Sequence, residues 1–161
     1  MYEIDNAQMI EQETKDYNIT NKIMTNIFQA YDCKISMKQM PIKSKIDAKM
    51  QVEKGNMSKK YVVEIKERNC EDNPEYLPMT CKKYCNVMEQ VKDNETPLAV
   101  YLVNDSEYYI FDLNKIDLNK CEIKNWWIAK VQFTDKRQYD AIPTIFFPTN
   151  QCVYNGNYAN N

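Results

Sequence analysis

The sequence predicts an α/β fold in which a long N-terminal helix is followed by a three-strand meander, a second helix and two further strands. Three observations predict it. Apolar side chains recur every three or four residues in two segments, which is the period of an amphipathic helix. β-Branched and aromatic residues concentrate in short runs that are typical of strands. Gly55-Asn56, between two such runs, is a hairpin signal in a chain with only two glycines.

The elements follow in a simple order. Helices are predicted over residues 5–31 and 79–92, and the apolar stripe of the second contains Cys81, Tyr84, Cys85, Met88 and Val91. Between them we expect strands at residues 33–39, 45–52 and 61–68, and a polar loop at residues 69–78. Strands at 97–103 and 107–113 follow the second helix. We then expect extended aromatic segments at 125–128 and 141–148, within a single domain at 1–149, and a poorly ordered tail at 150–161.

The Gly55-Asn56 hairpin predicts the register of the strands that it joins. If Lys54 pairs with Met57, the same register places Asp47 opposite Glu64. Two facing carboxylates repel each other, so the site would need a divalent cation or a neighbouring lysine.

The two faces of this hairpin differ in character. Side chains alternate along a strand, so Glu64 and Lys66 share a charged face. The opposite face is apolar, since Ile46, Ala48 and Met50 would pair with Ile65, Val63 and Tyr61.

An Asp on one strand, followed by Glu64-Ile65-Lys66 on the next, resembles the PD-(D/E)XK nuclease superfamily. This restriction-endonuclease-like fold includes Holliday-junction resolvases and many phage nucleases. The resemblance covers residues 10–113, although Ile46 replaces the proline that often precedes the Asp. It implies a three-layer α/β/α arrangement around a central mixed β-sheet. It also implies that Asp47, Glu64 and the carbonyl of Ile65 bind Mg²⁺, or Mn²⁺ as a substitute, and that Lys66 is catalytic.

Members of this superfamily often add an acidic residue from the first helix and a polar or basic one from the second. The apolar stripe of the first helix extends back to Glu13, which is our candidate, with Glu11 and Asp16 as alternatives. Lys83 is the candidate on the second helix, where a solvated helix face is the simpler interpretation.

Positive charge is concentrated around the predicted site. The chain has a net charge of −2, but residues 33–68 contain ten basic and four acidic side chains, a local net charge of +6. Such a stretch attracts a polyanion, and the candidates for DNA contact are Lys45, Lys49, Lys83 and Arg68. The alternative is a lysine-rich sheet edge that discourages aggregation.

Composition narrows the chemistry. The absence of histidine excludes His-based acid–base catalysis and catalytic triads. The six cysteines form no Cys-x-x-Cys pair, so we expect reduced thiols rather than zinc ligands. The sequence has no 18-residue apolar run and no apolar signal core at its start, which predicts a protein without membrane segments. Together with an Asn-, Lys-, Ile- and Tyr-rich composition, this favours the cytoplasm of a bacterial or phage-infected host cell.

The sequence therefore predicts a metal-dependent DNA endonuclease that hydrolyses phosphodiester bonds. A structure-selective, resolvase-like enzyme is favoured because no recognition subdomain is evident. The alternatives are a catalytically inactive nucleic-acid- or protein-binding accessory protein on the same fold, and an α+β protein of virion assembly. Trp126-Trp127 can stack unpaired bases, close the core or form a dimer face, and a homodimer is expected by analogy with resolvases.

Overall fold

The computed structural model of the protein describes residues 2–129 and 139–159, and the side chains of residues 7–126 and 141–159. In this part of the chain the helices are α1 (Tyr2–Gln29) and α2 (Cys81–Glu89). The strands are β1 (Lys34–Gln39), β2 (Ala48–Lys54), β3 (Met57–Arg68), β4 (Tyr76–Thr80), β5 (Glu95–Val103), β6 (Glu107–Asp112), β7 (Glu122–Ala129), β8 (Tyr139–Pro148) and β9 (Tyr154–Asn157). Short 3₁₀ turns span Leu118–Lys120 and Thr149–Gln151.

Six strands form a central mixed sheet in the order β1-β2-β3-β5-β6-β9. The first three strands are an antiparallel meander, and β5 pairs with β3 in parallel. Because parallel neighbours need a crossover connection, α2 and β4 lie between β3 and β5 in the chain. A second, antiparallel sheet has the order β4-β8-β7.

Apolar cores lie on both faces of the central sheet. On one face, α1 contributes Ile23 and Met24 to a cluster with Ala48, Met50, Val63, Val100 and Leu102. On the other face, α2 and the second sheet cover a cluster that includes Val62, Leu77, Val87, Tyr101, Phe111 and Phe147. The α/β/α arrangement around a mixed sheet is confirmed, and the second sheet shares the third layer with α2. Full burial of such side chains contributes about 1.5–3 kcal/mol each, which holds the three layers together.

The helix ends have local causes. After α1, Asp32 adopts a left-handed conformation with φ of 57°, and the Cys33 N–H donates to the Phe28 carbonyl at 3.0 Å. α2 begins after Thr80, whose hydroxyl caps the helix by accepting from the Lys83 N–H at 3.2 Å.

The buried face of α2 differs from the prediction in two residues. Val87 is fully buried, whereas Cys85, which the helical period predicts on that face, is exposed.

The hairpin register is confirmed from Lys54 to Ala48, but the predicted pairing of Asp47 with Glu64 is not part of it. Lys54 lies opposite Met57 and Ala48 lies opposite Val63. Gly55 has φ of 56° at the turn, a conformation that favours glycine.

The regular pairing ends at Asp47. Its N–H donates to the Val63 carbonyl at 3.1 Å, and its carbonyl accepts from the Met40 N–H at 2.8 Å. The extra residue at this point is a β-bulge, which changes the face of the sheet to which the preceding side chain points. Ile46 therefore packs in the cluster that contains Val62, on the α2 face, and the prediction that it shares one apolar face with Ala48 and Met50 is wrong.

Two segments that composition predicts to be irregular contain strands. Residues 76–78, in the predicted loop, belong to β4, which pairs with β8. Residues 154–157, within the predicted poorly ordered tail, form β9 and pair with β6. Both strands depend on partners distant in sequence, so local composition does not indicate them. The predicted extended segments at 125–128 and 141–148 are confirmed as parts of β7 and β8.

The six cysteines are free thiols. Within residues 2–129 and 139–159, neither helix is long and apolar enough to cross a membrane.

Candidate active site

The centre of the candidate site is the carboxylate of Glu64, which is fully buried on the α2 face of β3. The ammonium groups of Lys66 and Lys83 lie 2.6 and 3.0 Å from the same oxygen, Oε1. Neither oxygen of Glu64 has a partner with hydrogen-bond geometry among the described residues, so these contacts are ion pairs. The second oxygen, Oε2, is left buried without a hydrogen bond from that part of the chain. The charged face predicted for this strand is therefore inside the protein.

The two lysines reach Glu64 from different elements. Lys66 follows Glu64 by two residues on β3 and so shares its face. Lys83 lies in the first turn of α2, where the Thr80 cap holds its backbone. The side chains of Lys66 and Lys83 are 22% and 27% exposed, so both ammonium groups lie between the core and solvent. The structure thus brings Lys83, the weaker of the sequence candidates, into direct contact with the central acid.

Asp47 approaches the same strand from the start of β2. Its Oδ2 accepts a hydrogen bond of 2.7 Å from the Ile65 N–H. Burial raises the pKa of the Asp47 carboxyl to about 6, and the neighbouring Glu64 carboxylate contributes to the rise, while the Ile65 N–H, Lys66 and Lys83 oppose the shift. The negative charge of Glu64 therefore acts on Asp47.

Acidic residues of α1 lie near Asp47. A cavity of about 50 Å³ is lined by Glu13, Asp16, Asp47 and Ile65, among others, and has room for a few water molecules. Glu11, the remaining alternative, is exposed.

Asp16 belongs to a second acidic contact at the end of β3. One amide nitrogen, Nε2 of Gln12, lies 2.8 Å from both Asp16 Oδ1 and Glu67 Oε2. Burial, followed by the charge of Glu67, raises the pKa of Asp16 to about 6. The α1 residues beside Asp47 thus include one acid already engaged by Gln12 and one, Glu13, that faces the same cavity.

The other candidates for DNA contact lie outside the Glu64 cluster. Lys45 pairs with Glu89 at 3.0 Å, and Lys49 pairs with Glu95 at 3.2 Å. Arg68 donates to the Glu67 carbonyl at 2.7 Å and to a second carbonyl at 3.5 Å, so its guanidinium is turned towards backbone.

Trp126 lies on the outer surface of the second sheet rather than in either core. It is 39% exposed and packs against Phe146, with ring centroids 5.3 Å apart. Lys124 lies over the same Phe146 ring at 4.8 Å. The side chain of Trp127 lies outside the described residues.

Tyr101 of β5 is a neighbour of the site that sequence reasoning missed. It lies opposite Lys66 in the parallel β3–β5 register, and its hydroxyl donates to the Pro78 carbonyl at 3.1 Å. Burial raises the pKa of this phenol, and the charge of Glu64 contributes to the shift. Only the register of two strands separated by α2 places it here, and no local pattern indicates that register.

The donor set fits a hard divalent cation. Mg²⁺ is usually bound by one or two carboxylates and completes its coordination with water and substrate phosphate. Asp47 and Glu64 supply two carboxylates, and the buried Oε2 of Glu64 is an oxygen without a protein partner among the described residues. In that part of the chain, no group of three or more Asp, Glu, Cys or His side chains is close enough to hold a metal. A metal site here would therefore have few protein ligands.

Comparison with known proteins adds a distant structural likeness. No protein-family model and no curated protein matches the sequence. Among solved structures, the chain is similar to the Holliday junction resolvase Hjc of Archaeoglobus fulgidus, an archaeal hyperthermophile, with a TM-score of 0.39 and 9% sequence identity. The similarity covers 60% of this chain and 78% of the resolvase chain. At this level of likeness, the function has to be argued from the site itself.

Proposed function

We propose that the protein is a Mg²⁺-dependent DNA endonuclease whose site is built on the β2–β3 hairpin. The observation that carries this proposal is the fully buried Glu64, which is paired with Lys66 and Lys83 and lies beside Asp47. A buried carboxylate, a neighbouring acid whose pKa is raised and two nearby lysines are arranged as hydrolysis of a phosphodiester requires, with acids for a cation and ammonium groups for phosphate.

Each residue has a distinct part in the proposed reaction. Asp47 and Glu64, with the carbonyl of Ile65, would hold Mg²⁺ or Mn²⁺. The ion supplies a bound water of lowered pKa and charge stabilisation at the phosphate. Lys66 orients the attacking water and offsets the negative charge that develops on the phosphate. Glu64 holds the Lys66 ammonium group at 2.6 Å, so the cation is positioned before substrate arrives.

Two further residues support this arrangement. Lys83 adds a second cation at the same oxygen of Glu64, at 3.0 Å, and ties α2 to the site. Glu13 faces the cavity beside Asp47, where it can orient water around the cation. We assign DNA as substrate and favour structure-selective cleavage by a homodimer in the cytoplasm of a bacterial or phage-infected cell.

The proposal is tested by cleavage of labelled four-way junctions, bubbles and duplex DNA with Mg²⁺, Mn²⁺ or EDTA. Lys66→Ala should reduce the cleavage rate at least about 100-fold, which is typical for loss of one group that stabilises transition-state charge. Lys59→Ala is the matched control, because Lys59 is also on β3 but lies over the Tyr61 ring, 5.3 Å from its centroid. Cleavage by Lys66→Ala at the control rate would refute the assignment.

One observation favours a second candidate, a catalytically inactive accessory protein on the same fold. The two lysines already neutralise Glu64, and no described group of three ligands surrounds it, so the cluster can be a purely structural ion-pair network. Calorimetric titration with Mg²⁺ and Mn²⁺, with and without DNA, separates the candidates. Metal binding that Asp47→Asn abolishes supports the nuclease, and an absence of binding even with DNA supports the accessory protein.

A further inference from the structure

The central sheet has an uncovered face beside the candidate site. We define the lysine face as Lys38 of β1, Lys49 of β2, Lys60 of β3 and Lys92, which follows α2. These four residues line one surface groove together with Ser36, Gln51 and Glu95. Three of the four lysines, Lys38, Lys60 and Lys92, are exposed.

The strand register explains why these lysines lie together. Lys38 pairs with Lys49, which pairs with Val62, and in the next row Ser36 pairs with Gln51, which pairs with Lys60. Residues opposite one another, and residues two apart on a strand, share a face. On β2 the alternate positions Lys49 and Gln51 are partly exposed, whereas their neighbours are buried under α1. On β3 the cluster that α2 covers begins at Val62, and it contains no residue of β1 or β2, so the β1–β2 part of this face remains open.

The lysine face carries uncompensated charge. Lys49 is held by Glu95 at 3.2 Å, but Lys38, Lys60 and Lys92 form no side-chain ion pair with any residue that the structure describes. With four lysines and one acid, the groove has a net charge of +3. Elsewhere in the described chain, lysines pair with acids at seven positions, namely Lys15, Lys45, Lys66, Lys83, Lys115, Lys120 and Lys124. The groove thus gathers four cations around a single acid, Glu95, on an open surface.

The lysine face lies on the same side of β3 as Glu64, with the buried Val62 between Lys60 and Glu64. Lys60, Val62, Glu64 and Lys66 occupy alternate positions of β3 and so lie on one face. The distance from Lys60 to Glu64 along the strand is about 13 Å at the usual rise per residue. That is roughly four base-pair steps of a DNA duplex, at about 3.4 Å per step. A duplex that lies across the lysine face therefore extends towards the partly exposed Lys66 and Lys83, which lie beside the buried Glu64.

We propose that the lysine face binds the phosphate backbone of double-stranded DNA and feeds it to the Glu64 site. Flexible ammonium groups are point charges without a fixed fork, so they contact phosphates independently of base sequence. Glu95 positions Lys49 through its ion pair and also accepts from the Lys92 N–H at 3.0 Å, which links two members of the face. The inference rests on the proposed function for the identity of the polyanion, but binding can be measured without cleavage.

The test is a binding titration of the full chain with a fluorescein-labelled duplex in EDTA, followed by anisotropy at several salt concentrations. The variant is Lys38→Gln/Lys60→Gln/Lys92→Gln. A matched control, Lys15→Gln/Lys115→Gln/Lys120→Gln, removes the same charge from exposed lysines elsewhere. The first variant should bind at least about tenfold more weakly. The slope of log K, the binding constant, against log salt concentration should become less steep by about 3. This is about 0.9 for each phosphate that the variant no longer neutralises. The control should keep the wild-type slope.

Three results would overturn the inference: a wild-type slope in the first variant, an equally weakened control, or tighter binding of polyglutamate than of the duplex by the wild type. The last result would identify an acidic protein as the partner. Failure of the proposed function is recognised separately. If the first variant loses duplex binding while no DNA is cleaved under any condition, the lysine face stands and the nuclease does not. If Lys66→Ala loses cleavage while the first variant binds normally, the nuclease stands and the lysine face does not.

Discussion

Replacing both Lys66 and Lys83 by methionine is expected to destabilise the fold far more than either replacement alone. Both ammonium groups contact Oε1 of Glu64, at 2.6 and 3.0 Å, so either one can still compensate this buried carboxylate when the other is removed. Each single replacement should therefore reduce the free energy of unfolding by only about 1 kcal/mol. The double replacement leaves Glu64 as a buried charge without a compensating cation, which costs about 3–5 kcal/mol.

The assay is urea unfolding followed by circular dichroism at pH 7, with thermal unfolding as a second measurement. A decrease of about 3–5 kcal/mol lowers the melting temperature by roughly 6–20 °C for a chain of this size. Adding Glu64→Met to the double variant is the decisive comparison. It removes the stranded charge and fills its volume with an apolar side chain, so stability should return to the wild-type level or exceed it.

Two outcomes would refute this reasoning. Additive decreases in the double variant would show that the two lysines do not share one carboxylate. A triple variant that is no more stable than the double variant would show that the decrease came from lysine packing rather than from the buried charge. A changed m-value in any variant would point to a different unfolded state and would exclude that variant from the comparison.

The remaining predictions concern Asp47 and Gly55. Because burial raises the pKa of folded Asp47 from 3.8 to about 6, the folded state holds this proton more tightly than the unfolded state does, so stability falls as pH rises from about 4 to about 6. Asp47→Asn should remove about 3 kcal/mol of this pH dependence. The free energy of unfolding is measured by urea unfolding between about pH 4 and pH 7. If it depends on pH in the variant as it does in the wild type, the raised pKa of Asp47 is contradicted. Gly55→Ala should destabilise the hairpin by about 1 kcal/mol, because a residue with a Cβ is strained at the Gly55 φ of 56°. No atom lies within 4 Å of an added Cβ, so a steric clash does not contribute. Gly55→Asn should be less destabilising, since Asn tolerates this conformation, and equal effects of both variants on urea unfolding would contradict a purely conformational cause.

Much of the hairpin is predictable from local patterns. Gly55-Asn56 and the alternation of Val63, Glu64 and Ile65 predict both the turn and the register, because each depends on residues within one hairpin. The alternation fails at Asp47, where its N–H bonds to the Val63 carbonyl. A bulge of this kind leaves no mark in composition, so the position of the preceding residue, Ile46, is not predictable.

The burial of the site is harder to predict from the sequence. Glu-x-Lys on a strand is compatible with a solvated sheet face, and Lys83 on a helix is compatible with a solvated helix face. Whether they meet depends on how α2 crosses from β3 to β5. Because that connection brings together residues about 20 positions apart, no short-range period reports it.

By itself, the sequence determined the order of the elements, the hairpin register and the choice of Glu64, Lys66 and Asp47 as candidates. These follow from periods of 2 and 3.6 residues and from turn chemistry, which act over a few residues. The tertiary structure alone decided that Glu64 is buried, that Lys83 joins it, that Tyr101 lies beside Lys66, and that β4 and β9 are strands. Each of these depends on pairing or packing between distant segments, where the gain from burial and hydrogen bonding outweighs the local preference of the chain.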